Sequence, residues 1–162
     1  SGINVAQPLA LPDDQVFVSA GYDSGALLLQ IRNLEDKWSA EPVWKNKLMK
    51  CKMSSAIYHD GFLYGLDDGI LCCLDVATGK RRWKKGRYGH GQLLLADGIL
   101  VIMAESGNLV LAAANSDEHQ ELANLPMLPG GKTWNAPALA GNQLLLRNHF
   151  EAVLLEMAQS NK

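Results

Sequence analysis

The chain has 162 residues, with 15 Lys and Arg against 17 Asp and Glu and a formal charge of −2, so it is not built as a basic nucleic-acid track. No apolar run is long enough to cross a bilayer as a helix, and no low-complexity tract or linker divides the chain. Length alone suggests one domain.

Ser1-Gly2, with no initiator Met, reads as an expression scar and is set aside. A first unit, 3–47, carries an apolar segment at 8–11, a turn and strand at 13–17, a strand at 25–29 and a last strand between Trp38 and Trp44. A second unit, 48–86, repeats the order. Its apolar segment is at 55–58, Asp60-Gly61 opens a strand at 62–64, and Asp68-Gly69 turns the chain into 70–73. Asp-Gly between apolar runs is a hairpin signal, because a type I′ turn needs positive φ at both central residues. The unit ends in a strand from Arg81 to Trp83. The third unit, 87–128, has strands at 92–95, after Asp97-Gly98, and at 107–111, with a fainter one at 120–122. The fourth, 129–158, shows 137–139, 141–145 and 151–155, and no fourth strand.

The anchors Val16, Leu63, Leu100 and Leu144 recur at a spacing of roughly 40 to 50 residues, with about four strands per unit, which is the pattern of propeller blades. The sequence therefore predicts an all-β fold, a β-propeller of four-stranded antiparallel blades, with about four blades in the chain.

The run Leu74-Asp75-Val76-Ala77-Thr78-Gly79-Lys80-Arg81-Arg82-Trp83 resembles the repeat signature of quinoprotein-type propellers, in which Leu-Asp precedes Thr-Gly-Lys and a Trp closes the unit. Such repeats build the PQQ-dependent alcohol dehydrogenases and related propellers that bind no quinone, among them a bacterial outer-membrane assembly lipoprotein. The whole chain is similar to the C-terminal half of PQQ-binding-like repeat proteins. The third unit departs from the signature, with Ala114-Asn115-Ser116-Asp117 in its place. The resemblance implies that Trp44, Asp75, Thr78, Gly79 and Trp83 dock blades together, and that four units are half of an eight-bladed ring. Raw sheet faces at both ends would then call for a homodimer that closes the ring, or for the missing half of the propeller. It also implies export to the periplasm or cell surface. A PQQ and calcium site is implied only for a complete ring, and no cofactor or metal is expected of this half alone.

Function is expected at the channel mouth, where the loops entering each innermost strand meet the connections between second and third strands. Lys50, Lys52, Arg87, Tyr88, His90, Lys132, Trp134, Asn135, Arg147 and Asn148 are the ligand-binding candidates. Their cations, indole and amides would suit an anionic or planar ligand, or a protein partner; polar loops that merely turn the chain are the plainer account. Tyr22-Asp23, Asp67-Asp68 and Glu105 join them from the other connections. Cys72-Cys73 sits within one strand, where neighbours point to opposite faces, so buried free thiols are expected rather than a vicinal disulfide. His59 is expected in solvent, and His119 in a polar loop. The basic run Lys80, Arg81, Arg82, Lys84, Lys85 and Arg87 reads as the solvent face of an outermost strand, not a nucleic-acid patch. No Gly-x-Ser-x-Gly, His-Glu-x-x-His or Walker loop is present, and no catalytic residue or metal ligand is assigned. The expected function is a non-catalytic binding or scaffolding module. The alternatives are half of a PQQ-dependent alcohol dehydrogenase and a structural half-propeller that assembles into a ring.

Overall fold

The computed structural model describes residues 3–157; Ser1-Gly2 and the last residue of the fourth expected unit fall outside them. Fifteen strands form four antiparallel sheets, each ordered as the chain runs. Blade 1 holds β1 (Leu9–Leu11), β2 (Gln15–Ala20), β3 (Gly25–Leu34) and β4 (Lys37–Asn46). Blade 2 holds β5 (Ile57–His59), β6 (Phe62–Asp67), β7 (Ile70–Asp75) and β8 (Arg81–Arg87). Blade 3 holds β9 (Gln92–Ala96), β10 (Ile99–Met103), β11 (Asn108–Ala113) and β12 (Glu121–Pro126), and blade 4 has β13 (Ala138–Ala140), β14 (Gln143–Arg147) and β15 (Ala152–Glu156). The short first strands β1, β5 and β9 touch in succession and line the inside of the arc.

Turn chemistry sets the hairpins. Asp60-Gly61, Asp68-Gly69 and Asp97-Gly98 all have two positive φ angles, 47° and 83°, 48° and 83°, and 47° and 73°. Blade 1 uses the same left-handed pairs without glycine, at Asp13-Asp14, Tyr22-Asp23 and Glu35-Asp36. Such residues pay a steric penalty that the surrounding ladder must offset.

Packing follows from the period of two. Residues alternate across each blade, and both faces of an inner blade are buried, so its middle strands read as nearly unbroken apolar runs. At the first joint Phe17 and Leu28, opposite each other on β2 and β3, pack with Leu63 and Leu74, opposite each other on β6 and β7. At the second, Tyr64 and Cys73 take the place of Phe17 and Leu28, and pack with Leu100 and Ala112. At the third, Val101 and Leu111 pack with Leu144 and Leu155. Every joint thus uses one forward-facing pair and one backward-facing pair. Cys72 and Cys73 fall on different sides, one in the first joint and one in the second, and all three cysteines are free thiols.

The outer ends of the first two joints are pinned by tryptophan. Trp44 on β4 donates Nε1–H to the Val76 carbonyl at 2.7 Å, and Trp83 on β8 donates to the Asn115 carbonyl at 2.9 Å. Each acceptor lies in the turn between third and fourth strands of the next blade. The Val76 turn is held by the Asp75 carboxylate, which accepts from the Thr78 amide at 2.8 Å and its hydroxyl at 2.7 Å. Gly79 has φ of 66°, and a Cβ there would stand 2.6 Å from the Trp44 ring, so both backbone and space demand glycine. In blade 3 the turn is rebuilt by Asn115, whose side chain accepts from the Asp117 amide at 2.8 Å. Blade 3 offers no tryptophan to blade 4. Ala123, opposite Leu111, stands at the position of Trp44 opposite Leu28 and Trp83 opposite Cys73.

Trp83 also packs against the rings of Tyr64 and His119. Trp83→Ala is expected to lower unfolding stability by about 3 kcal/mol, read from denaturant midpoints, because the cavity opens between two blades that cannot both relax. Trp83→Phe should recover part of that loss.

Candidate functional site

The loops entering β5, β9 and β13 and the connections between second and third strands meet at one end of the arc. Tyr22, Asp23, Lys52, Asp68 and His90, from three successive blades, line a shallow cavity of about 300 Å³. Lys52 holds its ammonium 5.0 Å over the Tyr22 ring. Beside the cavity Lys50 pairs with Asp68 at 2.5 Å. That contact, more than any other, raises the Lys50 pKa and lowers that of Asp68.

Asp67 has a buried carboxylate, its side chain 2% exposed, ringed by Lys84, by Arg81 at 3.4 Å and by Lys50 at 3.9 Å. It also accepts from the Lys50 amide at 3.0 Å. Two members of the basic run therefore turn inward, whereas the sequence reading left the whole run in solvent. A third, Arg82, reaches Asp117 of blade 3 at 3.0 Å. Lys45, opposite Leu27, holds in blade 1 the position that Lys84, opposite Cys72, holds in blade 2, and it is exposed on the open face of blade 1.

Farther along the mouth, Glu105 repeats the arrangement. Its oxygens accept from the His90 amide at 3.0 Å and from Trp134 Nε1 at 3.1 Å, and Lys132 lies 4.0 Å away. The His90 N–H, first among these, holds its carboxyl below the usual range. A carboxylate in the connection of blade 2 is met by the loop entering that blade, and the one in blade 3 by loops entering blades 3 and 4.

The ten candidates from the sequence are distributed over several places. Lys52 and His90 share the cavity. Lys50 is committed to Asp67 and Asp68, and Lys132 and Trp134 gather at Glu105. Arg87 is exposed at the end of β8, and Asn135 is half-buried in the loop before β13. Tyr88 is buried between blades 2 and 3, where its hydroxyl donates to Glu121 at 2.6 Å and lies 2.9 Å from His119 Nε2. Asn148 is buried and accepts from the amides of Phe150 and Glu151 at 2.8 and 2.9 Å, closing the turn into β15, while Arg147 is exposed at the end of β14. His119 lies in the polar loop between β11 and β12, as expected, but is half-buried there: it stacks on Tyr88 and meets Trp83 edge-on, and burial lowers its pKa. His59 is half-buried beside Asp60, at 3.5 Å. Among the described residues no three His, Cys, Asp or Glu side chains converge as a metal cluster. Both Glu105 oxygens face N–H donors, Oε2 the His90 amide and Oε1 the Trp134 indole.

Two outcomes are expected from these environments. Because Glu105 is lowered from 4.5, its contribution to stability is fully present above that pH and fades as pH falls through the folded pKa. Melting wild type and Glu105→Gln from pH 7 downward should show a gap in Tm at neutral pH that closes in acid. Burial pushes Cys51 and Cys73 up to about 11 and Cys72 well above its ordinary value. A thiol reagent at pH 8 should label none of the three in the folded protein and all three after unfolding.

The sequence matches no protein-family model and no curated protein. Solved structures do match. The computationally designed Ika4 protein superposes with a TM-score of 0.70 at 12% identity, covering 94% of this chain and 92% of that one. BamB from Moraxella catarrhalis matches with a TM-score of 0.58 at 15% identity, over 98% of this chain and 59% of its own. A europium-containing methanol dehydrogenase matches with a TM-score of 0.54 at 15% identity, over 72% of this chain and 23% of its own. The chain thus spans about the length of Ika4 and only part of the other two. At these identities the likeness is one of fold: an all-β chain of four propeller blades, three of four strands and one, among the described residues, of three.

Proposed function

We propose that this chain is a half-propeller that pairs with a second copy to close an eight-bladed ring, and that the ring is a non-catalytic binding and scaffolding module. One observation carries the reading: the two free end faces are the two halves of the internal joint. Blade 4 ends on a forward-facing pair, Leu145 opposite Leu154, in the positions of Phe17–Leu28, Tyr64–Cys73 and Val101–Leu111. Blade 1 begins with the backward-facing pair Val16 opposite Leu29, in the positions of Leu63–Leu74, Leu100–Ala112 and Leu144–Leu155.

The two faces do not cover each other within one chain. Leu145 and Leu154 are 41% and 59% exposed. Blade 1 carries a groove of about 550 Å³, lined by Ala6, Pro8, Val18, Ala20, Leu27 and Lys45 among others. Two such faces on one molecule, of opposite kind, favour a head-to-tail contact that closes when the second copy makes the same contact in return. The ring would hold the Tyr22–Lys52–His90 cavity twice. Lys52 and His90 beside a phenol ring favour a small planar ligand whose anionic group meets Lys52, away from Asp23 and from Asp68, which Lys50 already engages. The engagement of Asp67 and Glu105 by internal donors favours binding over turnover, since neither is left as a free base.

Light scattering on a sizing column, over a dilution series, is expected to give twice the mass of one chain. Leu154→Glu should give a folded monomer with unchanged circular dichroism, because it places a charge at the centre of an apolar contact. A wild-type monomer at every concentration overturns the ring.

A further inference from the structure

We infer that the tip of the β3–β4 hairpin is a latch that clasps blade 4 of the second copy through Trp38. The inference rests on the ring reading. β3 and β4 are 10 residues each, against 6 for β7, 7 for β8, and 6 each for β11 and β12. The excess lies at one end. β2 stops pairing at Gln15 opposite Gln30, with one more bond from the Ile31 amide to the Asp14 carbonyl at 2.9 Å, and beyond it Arg32–Ser39, Asn33–Trp38 and Leu34–Lys37 pair only with each other. The result is a two-stranded ribbon that projects past its own sheet.

A ribbon of this kind has little stability of its own in water. Its turn, Glu35-Asp36, holds φ of 51° and 61° without a glycine, and its tip exposes Leu34 at 69% and Trp38 at 73%. A large indole left in water on a strained projection is the composition of a contact surface, where tryptophan is enriched as an anchor.

Register says which way the indole faces. Leu27, Leu29, Ile31 and Asn33 alternate on one side of β3, and Asn33 is opposite Trp38. The extra residue of the bulge lies on β4, between Trp44 opposite Leu28 and Pro42 opposite Leu29, so the alternation along β3 is not broken. Trp38 therefore shares a side with Val16, Val18, Leu27 and Leu29, the backward-facing surface that receives blade 4 of the second copy.

The second copy has a matching gap. At the first two joints the preceding blade sends a tryptophan from its fourth strand onto the third-to-fourth turn of the next. At the closing contact the preceding blade is blade 4, which among the described residues has neither a fourth strand nor a tryptophan on β14 or β15. The following blade is blade 1, and its third-to-fourth hairpin carries Trp38 near the start of β4. An outer contact is made in the reverse direction, with Trp38, four residues along β3 from the level of Leu29, reaching back over the outer edge of blade 4 of the second copy at the far end of β15.

Sedimentation velocity across a dilution series, on wild type, Trp38→Ala and Leu154→Glu, tests this. Trp38 is exposed within one chain, so Trp38→Ala is expected to keep the circular dichroism and melting of the wild-type monomer while its dimer dissociates at a concentration about tenfold higher or more. Acrylamide quenching should find an accessible tryptophan in dilute wild type that becomes protected on dimerisation, a change absent from Trp38→Ala. A wild-type dimer that Leu154→Glu disrupts and Trp38→Ala leaves equally tight overturns the latch and keeps the ring. A wild-type monomer overturns both.

Discussion

Every part of this molecule depends on one constraint, the burial of both faces of each blade by its neighbours. A sheet alternates its side chains strictly, so a blade with apolar residues on both faces has no stable existence alone. Leu63 and Tyr64, adjacent on β6, belong to different joints, and so do Cys72 and Cys73 on β7. Hydrophobic burial is non-directional; the alternation is what gives it direction, because each blade has one face for the preceding neighbour and another for the next. A chain of such blades has two unlike ends by necessity.

The outer edges of the blades are governed by hydrogen bonds rather than by area. Trp44 and Trp83 are each half-buried and place the indole N–H on a carbonyl in a turn of the adjacent blade. That turn must be shaped first, by Asp75 and Thr78 in blade 2 and by Asn115 in blade 3. The acceptor is thus prepared locally and used across the joint. The third joint lacks this pin and relies on Leu128, fully buried, with Met127 beside it. Blade 1 departs further, with left-handed turns lacking glycine and an overlong hairpin whose tip, Leu34 and Trp38, is exposed.

At the mouth, charge is organised by the same succession of blades. Asp67 gathers cations from the loop entering its blade and from the outermost strand, and Glu105 gathers donors from two entering segments. These carboxylates tie the connecting loops to the sheets, while the cavity beside them is lined by Tyr22, Asp23, Lys52, Asp68 and His90. A ligand site on this scaffold is therefore assembled from residues far apart in sequence, on loops whose backbones are already fixed.

The blade pattern was legible in the amino-acid sequence because it is local: Asp-Gly turns demand positive φ, alternation reports two faces, and the Asp75–Thr78–Gly79 turn followed by Trp83 repeats a recognisable unit. The opposite orientation of Cys72 and Cys73 followed from the pleat alone. The placement of charge did not. Lys84 and Arg81 look like surface residues in a basic run, and only the tertiary structure brings them to Asp67, which lies 14 residues from one and 17 from the other. Tyr88 sits in the chain beside His90, yet crosses to Glu121 of the next blade's outer strand, because the linker between blades turns one side chain to the mouth and its neighbour into the joint. Sequence determined the repeat and its two-sidedness, which depend on neighbours along the chain. The joints, the buried carboxylate and the open end faces were decided by which blade stands beside which, a relation between residues that the order of the chain does not contain.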